Sequence, residues 1–477
     1  MTNKKVPAVW LLMTALILAE ITSTFEASMA FAALPTLSRH FGDPVGVSWT
    51  ITVFFLASAA TAALCSRLGD MYGRRRVLIV VLLVAGLGSL TSALSTTLSG
   101  VVFGRTLQGI TGAVLPLCIG LMRENLPAKS LSFCIGVMGG VVGVSAGLAF
   151  LVSGYILDQY DWHSMFYFSA FLAALGAIAV WSIVPVSSAL KDRGKLDIVG
   201  GCLFAPAITL FLLGVNATQP FGWLHPRSGG LILLGLAVGA LWVRHELKHP
   251  NPLIDVRLFK DRRIMLANLV FALAAVGPMV NPQVIMLFAQ QPLWTGIGLG
   301  LSATAAGLLK QPNTLIGFVA GPLGGRIASR GGPRAAMLWG AAAMTIAWTL
   351  MLLIQDSLAV LLAVVTLHGF GIAVLYGAVA NQLVEAAPAA RTSEASGLSQ
   401  VTRATFNAIG SQVIALLLAT ALINDPELGL RNYPAQSAYN LAFVFILLTS
   451  ALSFIAAWML PRKSRDVEAA SVPAHQH

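Results

Sequence analysis

The stretch SRLGDMYGRRR, residues 66–76, lies between two long apolar runs of this chain. A similar stretch, GRIASRGGPR, occupies residues 325–334 and again separates two apolar runs. Each contains an arginine, a short turn with glycine and then further arginine. This repetition at matching positions predicts a chain built from two related halves, each of which crosses a lipid bilayer several times.

The composition is that of a membrane protein. Apolar residues make up 57% of the 477 residues, and charged residues only 10%, with a mean hydropathy of +0.80. Such a chain is too apolar for a soluble globular fold, so its structural unit is the spanning helix of roughly 20 residues. The net charge of +11 does not indicate nucleic-acid binding, because the basic residues concentrate in links on one side of the spans.

About fourteen apolar runs are long enough to span a bilayer. They cover roughly 9–35, 47–66, 78–95, 99–122, 131–156, 165–185, 198–217, 228–246, 264–288, 299–325, 335–354, 358–383, 398–423 and 437–460. If the N-terminus is cytoplasmic, about 25 of the lysines and arginines fall on the cytoplasmic side. We therefore predict that both termini are cytoplasmic.

Two polar stretches divide these spans into groups of six, two and six. We predict an all-α membrane protein with two six-helix bundles and two extra helices between them. The predicted units are an N-terminal bundle at 1–190, two linker helices at 191–263, a C-terminal bundle at 264–461 and a disordered cytoplasmic tail at 462–477.

At these residues the chain resembles the major facilitator superfamily, in particular its fourteen-span drug:proton antiporter branch. The loop motif between the second and third spans is matched by Asp70, Gly73, Arg74 and Arg75. The motifs of the fourth and first spans are matched by Arg105, Gln108, Gly109 and Gly112 and by Phe25–Pro35. Further matches are Trp49, residues 252–259, residues 395–397 and Arg403. The resemblance covers nearly the whole chain and implies the major facilitator fold and proton-driven export.

Several positions depart from the family pattern. Ser66 replaces a glycine and Met71 an arginine of the loop motif, and Glu26 replaces the usual aspartate of the first span. In the fifth span the antiporter motif requires Gly-Pro and then two glycines, whereas this chain has Ala149, Phe150, Ser153 and Gly154. The resemblance therefore supports membership of the family more strongly than antiport.

Two acidic residues lie within predicted spans, Glu20 and Glu26. An ionised side chain deep in a bilayer is costly unless it is paired or hydrated, so both are functional candidates. Arg105 lies roughly 9 Å into the fourth span, at the depth of Glu26. We expect Glu26 to carry a proton and Arg105 to tune its proton affinity. The alternative is a fixed ion pair that locks the two helices.

The predicted substrate cavity contains Glu20, Gln108, Lys310 and Gln311. Lys310 lies roughly 15 Å into the tenth span and should face a cavity. There it either pairs with Glu20 or attracts an anionic group of the substrate. Two histidines, His163 at an outer link and His368 in the twelfth span, are only weak candidates for a proton relay.

Asp70, Gly73, Arg74 and Arg75 form a predicted cytoplasmic gate. By the family resemblance, this cluster clamps the halves in the outward-facing state and releases them in the inward-facing state. The alternative is that its basic residues only set the topology.

The sequence contains no nucleophile elbow and no Walker loop, so we predict neither an enzyme nor an ATP-driven pump. The four cysteines lack metal-ligand spacing, and we expect no disulfide, metal ion or cofactor. The expected partners are a small-molecule substrate, protons and lipid, but no nucleic acid. The chain should act as a monomer in the cytoplasmic membrane.

Together these features predict a proton-coupled antiporter that exports small amphipathic organic compounds or drugs by alternating access. An uptake or exchange carrier of an anionic metabolite is the alternative with the same fold, and Lys310 favours it. A multi-span membrane enzyme would need an in-membrane group of histidine, aspartate or serine residues that the sequence does not show.

Overall fold

A computed structural model describes residues 9–186, 197–222, 225–249, 252, 254–355, 357–386, 392–424 and 432–461. Nearly all of them are helical, so the predicted all-α class is confirmed. The predicted tail at 462–477 lies outside the described residues, as does the boundary predicted at residue 190.

The first half contains seven α-helical segments. They are α1 (Val9–Phe41), α2 (Pro44–Tyr72), α3 (Arg74–Leu94), α4 (Leu98–Gln108), α5 (Val114–Asn125), α6 (Ala128–Gln159) and α7 (His163–Ile183). Two linker helices follow, α8 (Ile198–Phe221) and α9 (Pro226–Lys248). A 3₁₀ turn, Gly109–Ala113, joins α4 to α5 within the fourth predicted span.

The second half is more often interrupted. Its helices are α10 (Arg262–Val276), α11 (Asn281–Gln290), α12 (Ala303–Leu309), α13 (Gln311–Leu353), α14 (Leu358–Ala386), α15 (Thr392–Leu418) and α16 (Gln436–Trp458). Short 3₁₀ turns cover Val256–Lys260, Pro278–Val280 and Leu293–Thr295. An antiparallel hairpin of β1 (Leu422–Asn424) and β2 (Asn432–Pro434) precedes α16.

Thirteen helical stretches in the described part of the chain are long and apolar enough to cross a bilayer. The predicted span at 299–325 is not among them, because its helix is interrupted at Lys310. The first helix is longer than predicted, since it continues through Pro35 to Phe41. A proline is tolerated there because neighbouring helices support the chain around it. Glu26 consequently lies about 22 Å along the helix from Phe41, deeper than expected.

We call the end of the bundle that carries the α1–α2 turn at Gly42 the outer end, and the end that carries Gly73 the inner end. Both repeated loops turn at the inner end on a glycine with positive φ, 98° at Gly73 and 78° at Gly332. Two residues later, Arg75 and Arg334 each donate a hydrogen bond to the backbone carbonyl of a tryptophan in the last helix of their half. The sequence repeat is thus also a repeat of contacts.

The same glycine packing recurs in the two halves. A Cβ on Gly104 would lie 2.5 Å from the carbonyl oxygen of Gly88, and a Cβ on Gly371 would lie 2.6 Å from that of Gly340. No side chain fits at these distances, so α3 packs backbone to backbone on α4, and α13 packs in the same way on α14.

The linker helices form a pair beside the seam between the halves. Glycines bring α8 and α9 close together, since a Cβ on Gly235 would lie 2.5 Å from the backbone nitrogen of Phe211. The face of α8 contacts α2 of the first half and α15 of the second. The pair therefore covers one side of the seam and leaves the two bundles in direct contact elsewhere.

Candidate functional site

The carboxyl group of Glu26 lies at the centre of a buried polar cluster in the first half. The residue has no exposed surface. Its Oε1 accepts hydrogen bonds from the hydroxyls of Ser89 on α3, at 3.1 Å, and Ser169 on α7, at 3.0 Å. Its Oε2 has no hydrogen-bond partner among the described residues. This oxygen can therefore take a proton without breaking a hydrogen bond to the described protein.

The guanidinium of Arg105 lies beside Glu26 but does not form an ion pair with its carboxylate. Nη1 donates to the backbone carbonyl of Glu26, at 2.8 Å, and to Oε1 of Gln108, at 2.7 Å. Nε donates to the carbonyl of Thr50 at 3.0 Å, and the ring centre of Phe54 lies 4.4 Å away. Neutral groups thus hold the cation, and the fixed ion pair considered above is not formed in this structure.

Gln108 belongs to this cluster and not to the substrate cavity, where we expected it. The residue is fully buried. Besides accepting the bond from Arg105, its amide donates from Nε2 to the hydroxyl of Ser89 at 2.6 Å. In this structure the side chain turns back into the bundle, where it connects the arginine to a hydroxyl that binds Glu26.

The glycines after Gln108 have a packing role. A Cβ on Gly109 would lie 2.6 Å from the carbonyl oxygen of Phe54, and a Cβ on Gly112 would lie 2.8 Å from the Cα of Ser58. The 3₁₀ turn of the fourth span therefore packs directly on the backbone of α2. A helix break of this kind is common at functional sites of membrane proteins.

A second buried polar cluster surrounds Lys310, where the tenth predicted span is interrupted. Lys310 directly follows α12 as its C-cap residue, and α13 begins at the next residue with Pro312 in its first turn. A proline is favoured in a first helical turn and removes one backbone hydrogen bond of a helix that runs through it, which favours the break here. Nζ of Lys310 donates to Oδ1 of Asn281 at 2.9 Å. Asn281 itself follows a break, the 3₁₀ turn Pro278–Val280.

The cluster around Lys310 continues into α14 and towards the first half. The amide of Asn281 contacts Nε2 of His368, and Nε1 of Trp348 donates to the Nδ1 of that histidine at 3.1 Å. On the other side, Nζ of Lys310 lies 5.9 Å from the ring centre of Phe150 on α6. The ammonium group therefore lies at the boundary between the two halves.

Lys310 does not form an ion pair with Glu20, which was one of its two expected roles. Glu20 is nearly buried and lies closer to the inner end of α1, next to Thr24 and Cys118. The cation that acts on it electrostatically is Arg403 on α15. In this structure Lys310 donates to Asn281 instead, and the pair with Glu20 is not formed.

Gln311 crosses between the halves instead of facing an open cavity. Its Nε2 donates to the carbonyl of Gly147 on α6, at 2.8 Å, and to the carbonyl of Gly307 on α12, at 3.1 Å. The carbonyl of Gly307 also accepts the backbone N–H of Lys310 at 3.2 Å, so the side chain of Gln311 adds a second donor to it at the break. Gln311 thus fastens the interrupted helix to the opposite half.

The predicted gate forms one hydrogen-bonded cluster within the first half. Arg74 donates to Oδ1 of Asp70, at 2.6 Å from Nη2, and from Nη1 to Oε1 of Glu124 at 3.0 Å. The same Nη1 also donates to the carbonyl of Gly120. These partners lie on α2 and α5, so the contacts of Arg74 stay within its own half in this structure.

The halves contact each other towards the outer end. Asp158, at the end of α6, accepts hydrogen bonds from the backbone N–H groups of Ala303, at 3.0 Å, and Thr304, at 2.8 Å. These are the first residues of α12, whose N-terminal partial positive charge favours a carboxylate. In addition, Thr52 donates to Oε1 of Gln412 at 3.3 Å. A cavity of about 300 Å³ lies between the halves at this end, lined by residues such as Arg39, Gln283 and Tyr439.

Towards the inner end the facing surfaces of α6 and α13 are open. Gly147 of α6 still touches Thr314 of α13, since a Cβ there would lie 2.1 Å from the Thr314 hydroxyl. Further inward, the glycines on the same faces of both helices have open space where a Cβ would project, namely Gly136, Gly139 and Gly143 on α6 and Gly317, Gly321 and Gly325 on α13. The seam is closed at the outer end and widens inward.

His163 has a local structural role. Its ring and its backbone N–H both contact the carboxylate of Asp161 in the link before α7. Burial alone would raise the pKa of Asp161, but these two contacts lower it, and the pKa ends below its ordinary value. The pair lies in a link at the outer end and is separate from the buried clusters.

Comparison with known proteins identifies this architecture. The family model described as Major Facilitator Superfamily matches residues 16–411. The chain belongs to the major facilitator superfamily. It is 32% identical over 349 residues to a uridine/deoxyuridine transporter of Lactococcus lactis, which covers 69% of this chain and 70% of the relative.

A more distant relative within the superfamily is the multidrug resistance protein Stp of Mycobacterium tuberculosis. It is 26% identical over 404 residues, which are 83% of this chain and 73% of the relative. A solved D-xylose-proton symporter has the same fold, with a TM-score of 0.68 at 17% identity, over 95% of this chain and 98% of that structure. The chain is thus a multi-span membrane transporter of the major facilitator fold.

Sequence reasoning missed several polar residues of this transporter. Ser89 and Ser169 bind Glu26, Asn281 binds Lys310, and Asp158 joins the halves. Serines are common in transmembrane helices, so their position in the sequence carried no signal. Asn281 could have been found, because it stands between two prolines inside the span predicted at 264–288, and a proline-interrupted span is a common feature of transporter binding sites.

Proposed function

We propose that the chain is a proton-coupled antiporter that exports small amphipathic organic compounds by alternating access. In this proposal it crosses the cytoplasmic membrane fourteen times, and the interrupted helix at Lys310 supplies the span that lacks a continuous apolar run. Six helices, two linkers and six helices form the units, both termini are cytoplasmic, and the monomer is the working unit.

The observation that carries the proposal is the environment of Glu26. A carboxylate that stayed ionised in a dry cluster would be expected to draw the neighbouring guanidinium into a two-pronged pair. Arg105 instead donates to carbonyl and amide oxygens, and Oε2 of Glu26 has no partner in the described part of the chain. This arrangement suits an acid that is neutral in one state of the cycle and ionised in another.

The seam between the halves supports alternating access. Contacts such as that of Asp158 close it at the outer end, while the glycine faces of α6 and α13 leave room at the inner end. Rocking one half against the other would reverse this pattern. Asp70, Gly73, Arg74 and Arg75 would then clamp the inner end.

The substrate is assigned from different observations. The loop and fourth-span motifs and the similarity to a multidrug resistance protein favour export of amphipathic compounds. Lys310, a cation at the boundary between the halves, favours the second candidate, uptake or exchange of an anionic metabolite. The relative named as a uridine/deoxyuridine transporter favours a polar substrate but not a negatively charged one, because nucleosides are uncharged at neutral pH.

Replacing Glu26 by Gln tests the coupling. The purified protein would be placed in proteoliposomes with an imposed pH gradient, and accumulation of labelled cationic, neutral and anionic compounds would be measured. We expect Glu26→Gln to abolish gradient-driven accumulation while exchange of substrate without a gradient persists, because the amide keeps the shape of the carboxyl group but carries no proton.

Asp161→Asn is the matched control, since it makes the same chemical change at the outer surface. It should retain full gradient-driven transport. Undiminished accumulation by Glu26→Gln would remove this residue from the coupling mechanism. Accumulation in the direction of the proton gradient, rather than against it, would replace antiport by symport.

A further inference from the structure

The linker helices carry a group of metal-ligating side chains at the inner end, apart from the clusters of the proposed transport cycle. His245 and His249 lie one helical turn apart at the end of α9, and Asp197 immediately precedes α8. One ligand atom from each of the three lies within 4.8 Å of the other two. The fold thus brings together residues that are about fifty positions apart in the sequence.

The distances suit one small metal ion. Nε2 of His245 lies 2.7 Å from Oδ1 of Asp197, and Nδ1 of His249 lies 3.9 Å from Oδ2 of the same carboxylate. Two ligands of a tetrahedral zinc ion lie about 3.3 Å apart, because each is about 2.0–2.1 Å from the metal. The observed separations lie on both sides of that value, so small side-chain rotations would complete the geometry.

Three buried atoms of this group lack partners. They are Oδ2 of Asp197, Nδ1 of His249 and Oε1 of Glu246, none of which has a hydrogen-bond partner in the described ranges. Glu246 has no exposed surface and Asp197 is 4% exposed. Buried polar atoms in proteins are normally satisfied, and three unsatisfied ones in one place point to a ligand.

The charge of the group points to a cation. Asp197 and Glu246 place two carboxylates close together in a buried position, where they are costly without a positive counterpart. The guanidinium of Arg257 instead donates to the carbonyls of Leu247 and His249. Imidazole and carboxylate together are ligands that zinc prefers. The two histidine side chains are about a quarter exposed, which gives an ion a path from solvent.

The sequence signal for this group is the run His245-Glu246-Leu247-Lys248-His249, although the sequence led us to expect no metal ion. Histidines four positions apart on a helix share one face, as in zinc hydrolases that use the intervening glutamate as a base. Here Oε2 of Glu246 accepts a hydrogen bond from the backbone N–H of Ile254 at 3.2 Å, and the residue is fully buried. No substrate could reach this carboxylate, so a hydrolytic role does not fit.

We propose that Asp197, His245 and His249 bind one zinc-like divalent transition metal ion, with the Glu246 carboxylate beside it. The ion would have a structural role. It would fasten the start of α8 to the end of α9 and to the segment around Ile254 that leads into the second half.

Zinc binding can be measured without a transport assay. Full-length protein carrying a histidine-free affinity tag would be stripped with a chelator in detergent and titrated with Zn²⁺, and bound metal would be counted by elemental analysis. We expect His245→Ala/His249→Ala to bind one zinc ion fewer per chain than the unchanged protein. Titration with Co²⁺ should give visible absorption bands of a tetrahedral site, and these should be absent in the double variant.

His163→Ala is the matched control, because His163 also contacts an aspartate but belongs to no group of three ligand atoms within 4.8 Å of one another in the described part of the chain. It should bind as much zinc as the unchanged protein. Asp197→Asn is a second test that preserves the fold, since asparagine can still accept the hydrogen bond that Gly200 N–H donates at 2.8 Å. It should weaken zinc binding by about tenfold or more.

Zinc should also raise the unfolding temperature of the unchanged protein and of His163→Ala, but not that of the double variant. Equal zinc content in the unchanged protein and the double variant would overturn the proposal. It would equally be overturned if Asp197→Asn, with its cap intact, bound zinc as tightly as the unchanged protein.

Discussion

The two halves of this transporter share a backbone plan but bury different charged groups. The first half encloses Glu26, an acid held by serine hydroxyls next to an arginine. The second half encloses Lys310, an amine held by Asn281 at a broken helix. In both halves the buried charge lies next to an interruption of a spanning helix.

The halves also differ in the contacts of their buried cations, Arg105 and Lys310. Arg105 is fixed by three oxygen acceptors within its own half. The ammonium group of Lys310 donates one hydrogen bond among the described residues, to Asn281, and faces an aromatic ring of the opposite half. The first arrangement suits an internal proton site, and the second suits a group that meets a substrate. The repeated fold therefore supplies the scaffold, while departures from the repeat supply the proposed chemistry.

The largest effect in this comparison should come from Arg105→Lys. A lysine keeps the charge but cannot donate along the directions of the guanidinium fork, so buried acceptors lose their partners. We expect proton-driven transport to fall by about 100-fold, as for breaking a buried charged network. Initial rates in proteoliposomes across a pH gradient would measure it. Full transport by Arg105→Lys would show that only charge matters at this position.

Lys310→Ala should have the next largest effect, and on substrate affinity rather than on coupling. Loss of a charge-assisted contact to an anionic group should weaken apparent affinity for anionic substrates by about tenfold or more, and leave neutral substrates little affected. The measurement is the concentration dependence of uptake at fixed pH gradient. If affinity for every anionic compound transported stayed the same, the role of Lys310 in substrate binding would be excluded.

The shared part of the two halves can be tested with Gly104→Ala and Gly371→Ala. Each added methyl group would lie 2.5–2.6 Å from a backbone carbonyl oxygen, so each should destabilise its half by about 1–3 kcal/mol. Thermal unfolding in detergent would show lower unfolding temperatures for both. Gly136→Ala is the control, since its Cβ meets open space. A large loss in one half only would contradict the equivalence of the two packings.

The smallest effect should come from Asp158→Asn at the outer contact. A carboxylate at a helix N-terminus contributes about 0.3–1 kcal/mol, so its loss should shift the balance away from the outer-closed state by only a few-fold. A cysteine introduced at Leu287, which lines the outer cavity, would react faster with an external maleimide in a background free of the four native cysteines.

Asp43→Asn is the control for that shift. Asp43 also caps a helix at the outer end, through the N–H of Gly46, but within its own half. It should leave the labelling rate unchanged. Faster labelling in both variants would assign the effect to general loosening of the outer end and not to the contact between halves.

The sequence was sufficient to predict the fold and to show which charged residues lie inside the spans. Hydropathy placed thirteen spans to within about six residues in the described part of the chain, but not the one at 299–325. It succeeds for those spans because in a bilayer every backbone group must be satisfied within the helix. The same pattern could not show that α1 continues through Pro35, since that depends on neighbouring helices. Nor could it show that Gln108 turns towards Ser89, because side-chain direction depends on packing.

Contacts between distant residues were the hardest to foresee. Asp158 lies near a span end, where acids are common, and its partners are backbone N–H groups that leave no trace in a sequence. Asp197 likewise precedes an ordinary helix, and only folding of α8 against α9 brings it to the two histidines. In both cases the site is defined by the distance between residues that are far apart in the sequence, which only the folded structure shows.

The contact of Asp158 with the start of α12 has an evolutionary consequence. On one side of the seam the donors belong to the main chain, and at Thr304 and Ala303 only a replacement by proline could delete one. On the other side of the seam the acceptor is a single side chain, Asp158, so one substitution there can remove the contact. Selection can therefore adjust how readily the outer end opens by changing one position, because the contact does not depend on the side chains of Ala303 and Thr304.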